Sequence, residues 1–143
     1  QTAAAMTPDG WLRTGDLGRL SVSGDVTYVG RLKDMLRVGG ENVAAAEIEG
    51  FLATHPAIKL AQVIGVPDPV LEEVPAAFVE LEPGAALTAQ DIVEYCRDRI
   101  ARFKVPRHVR IVTAWPMSAT KIQKFRLKQD FVAGSGADSA PAP

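Results

Sequence analysis

Lys121 ends a run of small and hydroxyl residues, Pro116-Met117-Ser118-Ala119-Thr120, at the threshold of a basic segment. A lysine in that setting is a mobile point charge able to reach a phosphate or a carboxylate, although taken alone a solvated surface lysine is the commoner arrangement. Asp16 follows Thr14-Gly15 at the end of a β-prone run, where a carboxylate suits hydrogen bonds from sugar hydroxyls. Arg31, Lys33, Asp34 and Arg37 lead into Gly39-Gly40-Glu41-Asn42, and glycines there give a ligand or a second backbone room to approach. A solvated turn accounts for any one of these charged residues by itself.

The elements that must position these groups are legible in outline. Residues 9 to 31 alternate turn formers with short β-prone runs, which predicts a hairpin turning near Ser23-Gly24. Ile48, Phe51 and Leu52 recur at helical spacing between Ala44 and His55, and Pro56 follows the expected helix end. Leu60 to Val66 and Ala76 to Leu81 read as neighbouring strands, broken by Pro67-Asp68-Pro69. Thr88, with Asp91 three residues on, opens a helix carrying Ile92, Val93, Cys96 and Ile100. Val109 to Thr113 is a third strand, and a short basic helix is expected from about Gln123 to Phe131. The expected class is α+β: a small three-stranded sheet with helices on one or both faces, preceded by a β-hairpin. The tail, 133–143, holds too little large apolar content to pack and is expected to be disordered.

Composition narrows the functional classes. Sixteen basic residues against seventeen acidic ones leave a net charge of -1, too balanced for bulk attraction to nucleic acid or an anionic membrane. Any phosphate must therefore be held locally. Cys96 is the single cysteine and sits in an apolar helical pattern, as a reduced core thiol does. No apolar run approaches the roughly 20 residues of a membrane span, and the opening Gln1-Thr2-Ala3-Ala4-Ala5-Met6 has no basic region before an apolar one. A cytoplasmic protein is expected, and the absence of an initiator Met suggests a piece of a longer polypeptide.

The order in which the motifs occur adds what none of them gives singly. Trp11-Leu12-Arg13-Thr14-Gly15-Asp16-Leu17-Gly18 comes first, then Gly30-Arg31-Leu32-Lys33-Asp34, then Gly39-Gly40-Glu41-Asn42-Val43 with Glu47-Ile48-Glu49. Phe103-Lys104-Val105-Pro106 and Lys121-Ile122-Gln123-Lys124 complete the series. Together they closely resemble successive motifs of the adenylate-forming acyl-CoA synthetases, over about residues 9 to 131.

The resemblance implies that an acid and ATP give an acyl-adenylate and pyrophosphate, after which the thiol of coenzyme A displaces AMP. It implies residues 1–30 as the end of a large N-terminal domain and 31–132 as a mobile lid. Asp16 and Arg31 would then bind the nucleotide ribose, Lys33 would be the hinge, and Lys121 the catalytic lysine of the first step. Gly39, Gly40, Glu41 and Asn42 would line the path of coenzyme A. The phosphate-cradling loop, adenine site and acyl pocket of that family have no counterpart in this sequence, so ATP, with magnesium as its counter-ion, would be held by the N-terminal domain. Carboxylates are favoured in an early helical turn, so Glu47 and Glu49 are expected to cap and solubilise the first helix; Phe103 to Pro106 is expected to be structural, and Lys124 is left open between added positive potential and a solvated helix face. Thr120 stands where the family usually has glycine, in a loop one residue shorter, and Glu72-Glu73 where a Gly-Glu pair is common. A stand-alone binding module, and the lid of a domain that loads a carrier protein, are the competing readings.

Overall fold

Val63 and Val79 are buried on one side of a β-sheet while Ile64, Val66 and Phe78 are buried on the other, and this two-sided burial decides the architecture. The computed structural model describes residues 5–134. Strands β1 (Asp16–Leu20) and β2 (Val26–Arg31) form the expected hairpin. A 3-10 turn over Leu32–Asp34 leads into β3 (Met35–Val38) and β4 (Glu41–Ala44), then helix α1 (Ala45–Leu52). Strands β5 (Ile58–Asp68) and β6 (Glu72–Leu81) come next, then α2 (Ala89–Cys96), β7 (His108–Ile111) and α3 (Lys124–Ala133).

The class is as expected, α+β with helices flanking a small sheet behind a hairpin, but the sheet has five strands rather than three. Its order is β4-β3-β6-β5, with β7 lying parallel to β6. The two additional strands are four residues each, too short for periodicity to separate them from a loop. In β3, Leu36 and Val38 are buried while Arg37 is exposed, the alternation of a strand with one face on the core. The β3–β4 turn is Gly39-Gly40, with φ of 57° and 88°. A two-residue hairpin loop of this hand needs positive φ at both positions, which glycine adopts without strain.

Helices cover both faces of the sheet. Ile48 and Leu52 of α1, with Ile92 and Cys96 of α2, pack against Val63, Ala77 and Val79. Leu127 and Phe131 of α3 pack against Ile64, Val66 and Phe78 on the other side. Such strands read as nearly continuous apolar runs because neither face meets water. Helix α2 opens on the expected capping box: the Asp91 N–H donates to Thr88 Oγ1 at 3.2 Å and the Thr88 N–H donates to Asp91 Oδ2 at 2.8 Å. It ends at Cys96, earlier than expected, because Arg97 is extended and Asp98 has φ of 60°. Ile100 still packs on the core from the turn beyond the helix end. Of the tail, Ala133 is the last residue of α3 and Gly134 its cap; the rest of the expected disordered segment lies outside the described residues.

Core burial and the α2 cap can each be tested by unfolding. Leu52 is fully buried, so Leu52→Ala is expected to cost about 2–5 kcal/mol, read as a lower urea midpoint at unchanged slope. The Asp91 carboxyl is held below its ordinary range by the Thr88 N–H and then by the Thr88 hydroxyl. Its folded value lies under the unfolded one, so this stabilisation is complete above the unfolded value of about 3.9 and is lost as pH falls through the folded value. The stability deficit of Asp91→Asn, measured by urea unfolding, is therefore expected near neutral pH and should shrink as the pH falls below the unfolded value.

Candidate functional site

The loop that carries Lys121 is closed on itself. Ser118 donates to the Lys121 carbonyl through its N–H at 2.8 Å and through its hydroxyl at 3.1 Å. The Gln123 N–H donates to the Pro116 carbonyl at 2.8 Å, and Met117 and Ile122 form an antiparallel bridge. Glu72 and Asp98 are the non-glycine residues with positive φ among those described. Thr120 therefore sits in ordinary backbone, and the loop does not need a glycine before Lys121. The Lys121 side chain is exposed and makes no ion pair among the described residues.

Lys121 lines a cleft of about 730 Å³ together with Arg31, Lys33, Glu73, Lys124 and Phe125. The cleft lies along the free edge of β5, between the 3-10 turn and the start of α3. Asp16 is not part of its wall, but it pairs with Arg31, its register partner across the hairpin, at 3.1 Å. Lys33 sits in the middle of the 3-10 turn, exposed and without an ion pair among the described residues. Gly39, Gly40, Glu41 and Asn42 are all exposed at the far end of β3 and outside the cleft lining. A four-residue strand separates them from the cleft end of β3 by roughly 13 Å.

The cleft wall and the ground behind it also hold acids whose place the sequence did not reveal. Glu49 is no surface solubiliser: its Oε1 accepts from Lys124 Nζ at 2.6 Å and from the Val63 N–H at 2.8 Å. Glu73 accepts from Lys128 Nζ at 3.2 Å through one oxygen and from the Arg37 N–H at 3.2 Å through the other. Lys124 and Lys128 thus carry neutralising partners, whereas Lys33 and Lys121 have none among the described residues. Glu47 pairs with Lys104 at 2.5 Å, tying α1 to the Phe103-Lys104-Val105-Pro106 segment. No spacing rule pairs acids and bases so far apart in sequence.

Other chemistries find little here. Burial pushes the Cys96 thiol up to about 11, so it is neither thiolate nor accessible at neutral pH. Among the described residues no group of three His, Cys, Asp or Glu side chains is arranged to hold a metal. No helix among them is long and apolar enough to cross a membrane.

Residues 47–121, just over half of the chain, match the AMP-binding enzyme C-terminal domain. The chain belongs to this family. Over 130 residues it is 41% identical to the medium-chain acyl-CoA ligase ACSF2, mitochondrial, of Bos taurus, covering 90% of this chain and 21% of the relative. It superposes on ATP-bound MatB from Rhodopseudomonas palustris with a TM-score of 0.83 at 32% identity, covering 91% of this chain and 26% of the other. The amide bond synthetase McbA from Marinactinospora thermotolerans gives 0.82 at 34% identity over 91% and 26%. The chain therefore spans about a quarter, or less, of these relatives.

Within this AMP-binding C-terminal domain, Gly65 is what lets Glu73 cross β5 to reach α3. A Cβ at Gly65 would stand 2.7 Å from Glu73 Oε2, so the carboxylate would have to shift. The displaced atoms end a flexible, partly exposed side chain, so Gly65→Ala is expected to cost no more than about 1 kcal/mol, measured by chemical denaturation. The deficit should shrink in a Glu73→Ala background, where the clash is gone.

Proposed function

We propose that this chain is the C-terminal portion of an ATP-dependent acyl-CoA ligase and that Lys121 is its catalytic lysine. The observation that carries the reading is the charge state of the cleft. Lys121 and Lys33 are left without partners beside two lysines that acids already neutralise. In the first step a carboxylate oxygen attacks the α-phosphorus of ATP while the bond to pyrophosphate breaks. Two anions must meet, and a cation between them offsets their repulsion as charge develops on the phosphoryl oxygens. In the second step the thiol of coenzyme A attacks the acyl carbon, loses its proton, and AMP departs with the bonding pair.

The remaining residues take roles within the same proposal. Asp16 accepts hydrogen bonds from the ribose hydroxyls, and Arg31, which orients that carboxylate at 3.1 Å, supports the same sugar. Lys33 is the hinge: its 3-10 turn joins extended residues, Arg31 and Met35, so a change of a few torsions reorients β3 and the sheet beyond it against the hairpin. Gly39 to Asn42 receive the coenzyme A arm after that motion, their exposed turn offering room for a thin chain.

The partner in this proposal is the protein's own N-terminal domain, spanning residues 1–30 and the part before them, with 31–132 as the lid. The hairpin supports it: Trp11, Leu20 and Tyr28 are 72%, 70% and 61% exposed, and a two-stranded hairpin alone is marginal in water. That domain would hold ATP with its magnesium counter-ion and the carboxylic acid. We assign the cytoplasm as the compartment, which the buried, reduced Cys96 suits, whereas the bovine relative is mitochondrial by name. The likeness to an amide bond synthetase favours a second reading, in which an amine rather than coenzyme A accepts the acyl group. Supplying each acceptor to the full-length protein and identifying the product separates the two.

In the full-length protein, Lys121→Ala is expected to slow carboxylate-dependent pyrophosphate release by about 10²- to 10³-fold. Transfer from a supplied acyl-adenylate to coenzyme A should stay within a few-fold of wild type. Equal loss in both half-reactions would overturn the assignment of Lys121, and pyrophosphate release by residues 1–143 alone would overturn the need for an N-terminal partner.

A further inference from the structure

We propose that Glu49 is a positioning residue for Lys121 and acts through Lys124; the proposal rests on the assignment of Lys121 above. Helices α1 and α3 lie on opposite faces of the sheet, so no apolar contact through the sheet fixes one against the other at the β5 edge. Glu49 does so directly. One oxygen of its carboxylate takes the Val63 N–H, a donor on the free edge of β5, at 2.8 Å, and Lys124 Nζ at 2.6 Å. Both side chains are largely withdrawn from water, 18% and 23% exposed, so the pair is screened less than the surface pairs of this molecule.

The need for this clasp lies at the N-terminus of α3. That helix has no side-chain cap and no acidic residue in its first turn, yet its first residue is Lys124. A cation at the positive end of a helix is unfavourable unless an anion compensates it, and Glu49 is the carboxylate that does. Without it, the first turn of α3, to which the Lys121 loop is joined by the Gln123 N–H on Pro116, loses its anchor on α1 and β5. Glu49 touches no substrate in this account; it sets where Lys121 begins.

The test uses the full-length protein and Glu49→Gln, which keeps an oxygen for the Val63 N–H and removes the charge that holds Lys124. Pyrophosphate release is expected to fall roughly 10- to 100-fold in kcat, with KM for ATP and acyl transfer from supplied acyl-adenylate changed less than about twofold. Adding Glu49→Gln to Lys124→Met should cost less than about twofold more, because both remove one link. Equal loss in both half-reactions, or full additivity with Lys124→Met, would reduce Glu49 to a structural residue and overturn the proposal. Should Glu49→Gln fail to fold, Lys124→Met reads the same link from its other end, and an unchanged first half-reaction there would also overturn it. Lys121→Ala in the same assay keeps the two ideas apart: a crippled Lys121→Ala beside an unaffected Glu49→Gln removes the positioning role alone, whereas a harmless Lys121→Ala removes the reading beneath it.

Discussion

The β5–β6 ladder carries apolar side chains on both faces, and each face has to be covered by something other than water. Covering one takes α1 and α2, and covering the other takes α3, so the chain is committed to sending helices to both sides of one small sheet. β6 is enclosed between β5 on one side and β3 and β7 on the other, which leaves the outer edge of β5 open. A free strand edge presents backbone donors and acceptors that need covering. Here Glu49 takes a backbone donor of that edge, the Val63 N–H, where another strand would otherwise pair. The cleft is what this solution leaves between that edge and the 3-10 turn.

Electrostatics within the cleft arise along the same edge. α3 brings Lys124 and Lys128 to the cleft wall beside Lys33 and Lys121, and four unpaired lysines there would repel one another. Two are neutralised by acids anchored on backbone N–H groups, so those acids are held in place on both sides of the pair. Lys121 precedes the helix, pairs with neither acid, and is open to whatever anion enters. The selectivity lies in which lysines the fold satisfies, not in how many it has.

The sequence made the long apolar segments legible because burial writes a period into them: Ile48 and Leu52, Ile92 and Cys96, and the continuous runs of β5 and β6. The Thr88–Asp91 box was legible because it is local. β3 and β4 were not, since four residues hold barely two cycles of a strand period and their pairing is decided by Gly39-Gly40 and by contact with β6. The early end of α2 was hidden too, because Ile100 keeps the helical spacing while reaching the core from a turn. For the site, motif order located Lys121, Arg31 and Lys33, which the fold gathers into one cleft, and Asp16, which it ties to Arg31. The pairing of Glu49 was invisible because its partner lies 75 residues away, and its place beside Glu47 suggested a solvated helix start.

The strand β3 connects two separate surfaces. Its Met35 end opens on the Lys121 cleft, and its Val38 end leads into the exposed Gly39-Gly40 turn. The hairpin is joined to this strand through the short 3-10 turn and meets the sheet closely where Gly30 is buried beside Ala44. Rotation about so narrow a connection leaves the β5–β6 core undisturbed, because neither apolar cluster includes a residue of β1 or β2. A partner holding the hairpin would thus face either end of β3 at the cost of torsions in a few exposed residues. On the proposed reading this reconciles Lys121 and the Gly39–Asn42 turn: they serve successive steps, and their separation in one static arrangement is what a two-step reaction on one nucleotide site requires.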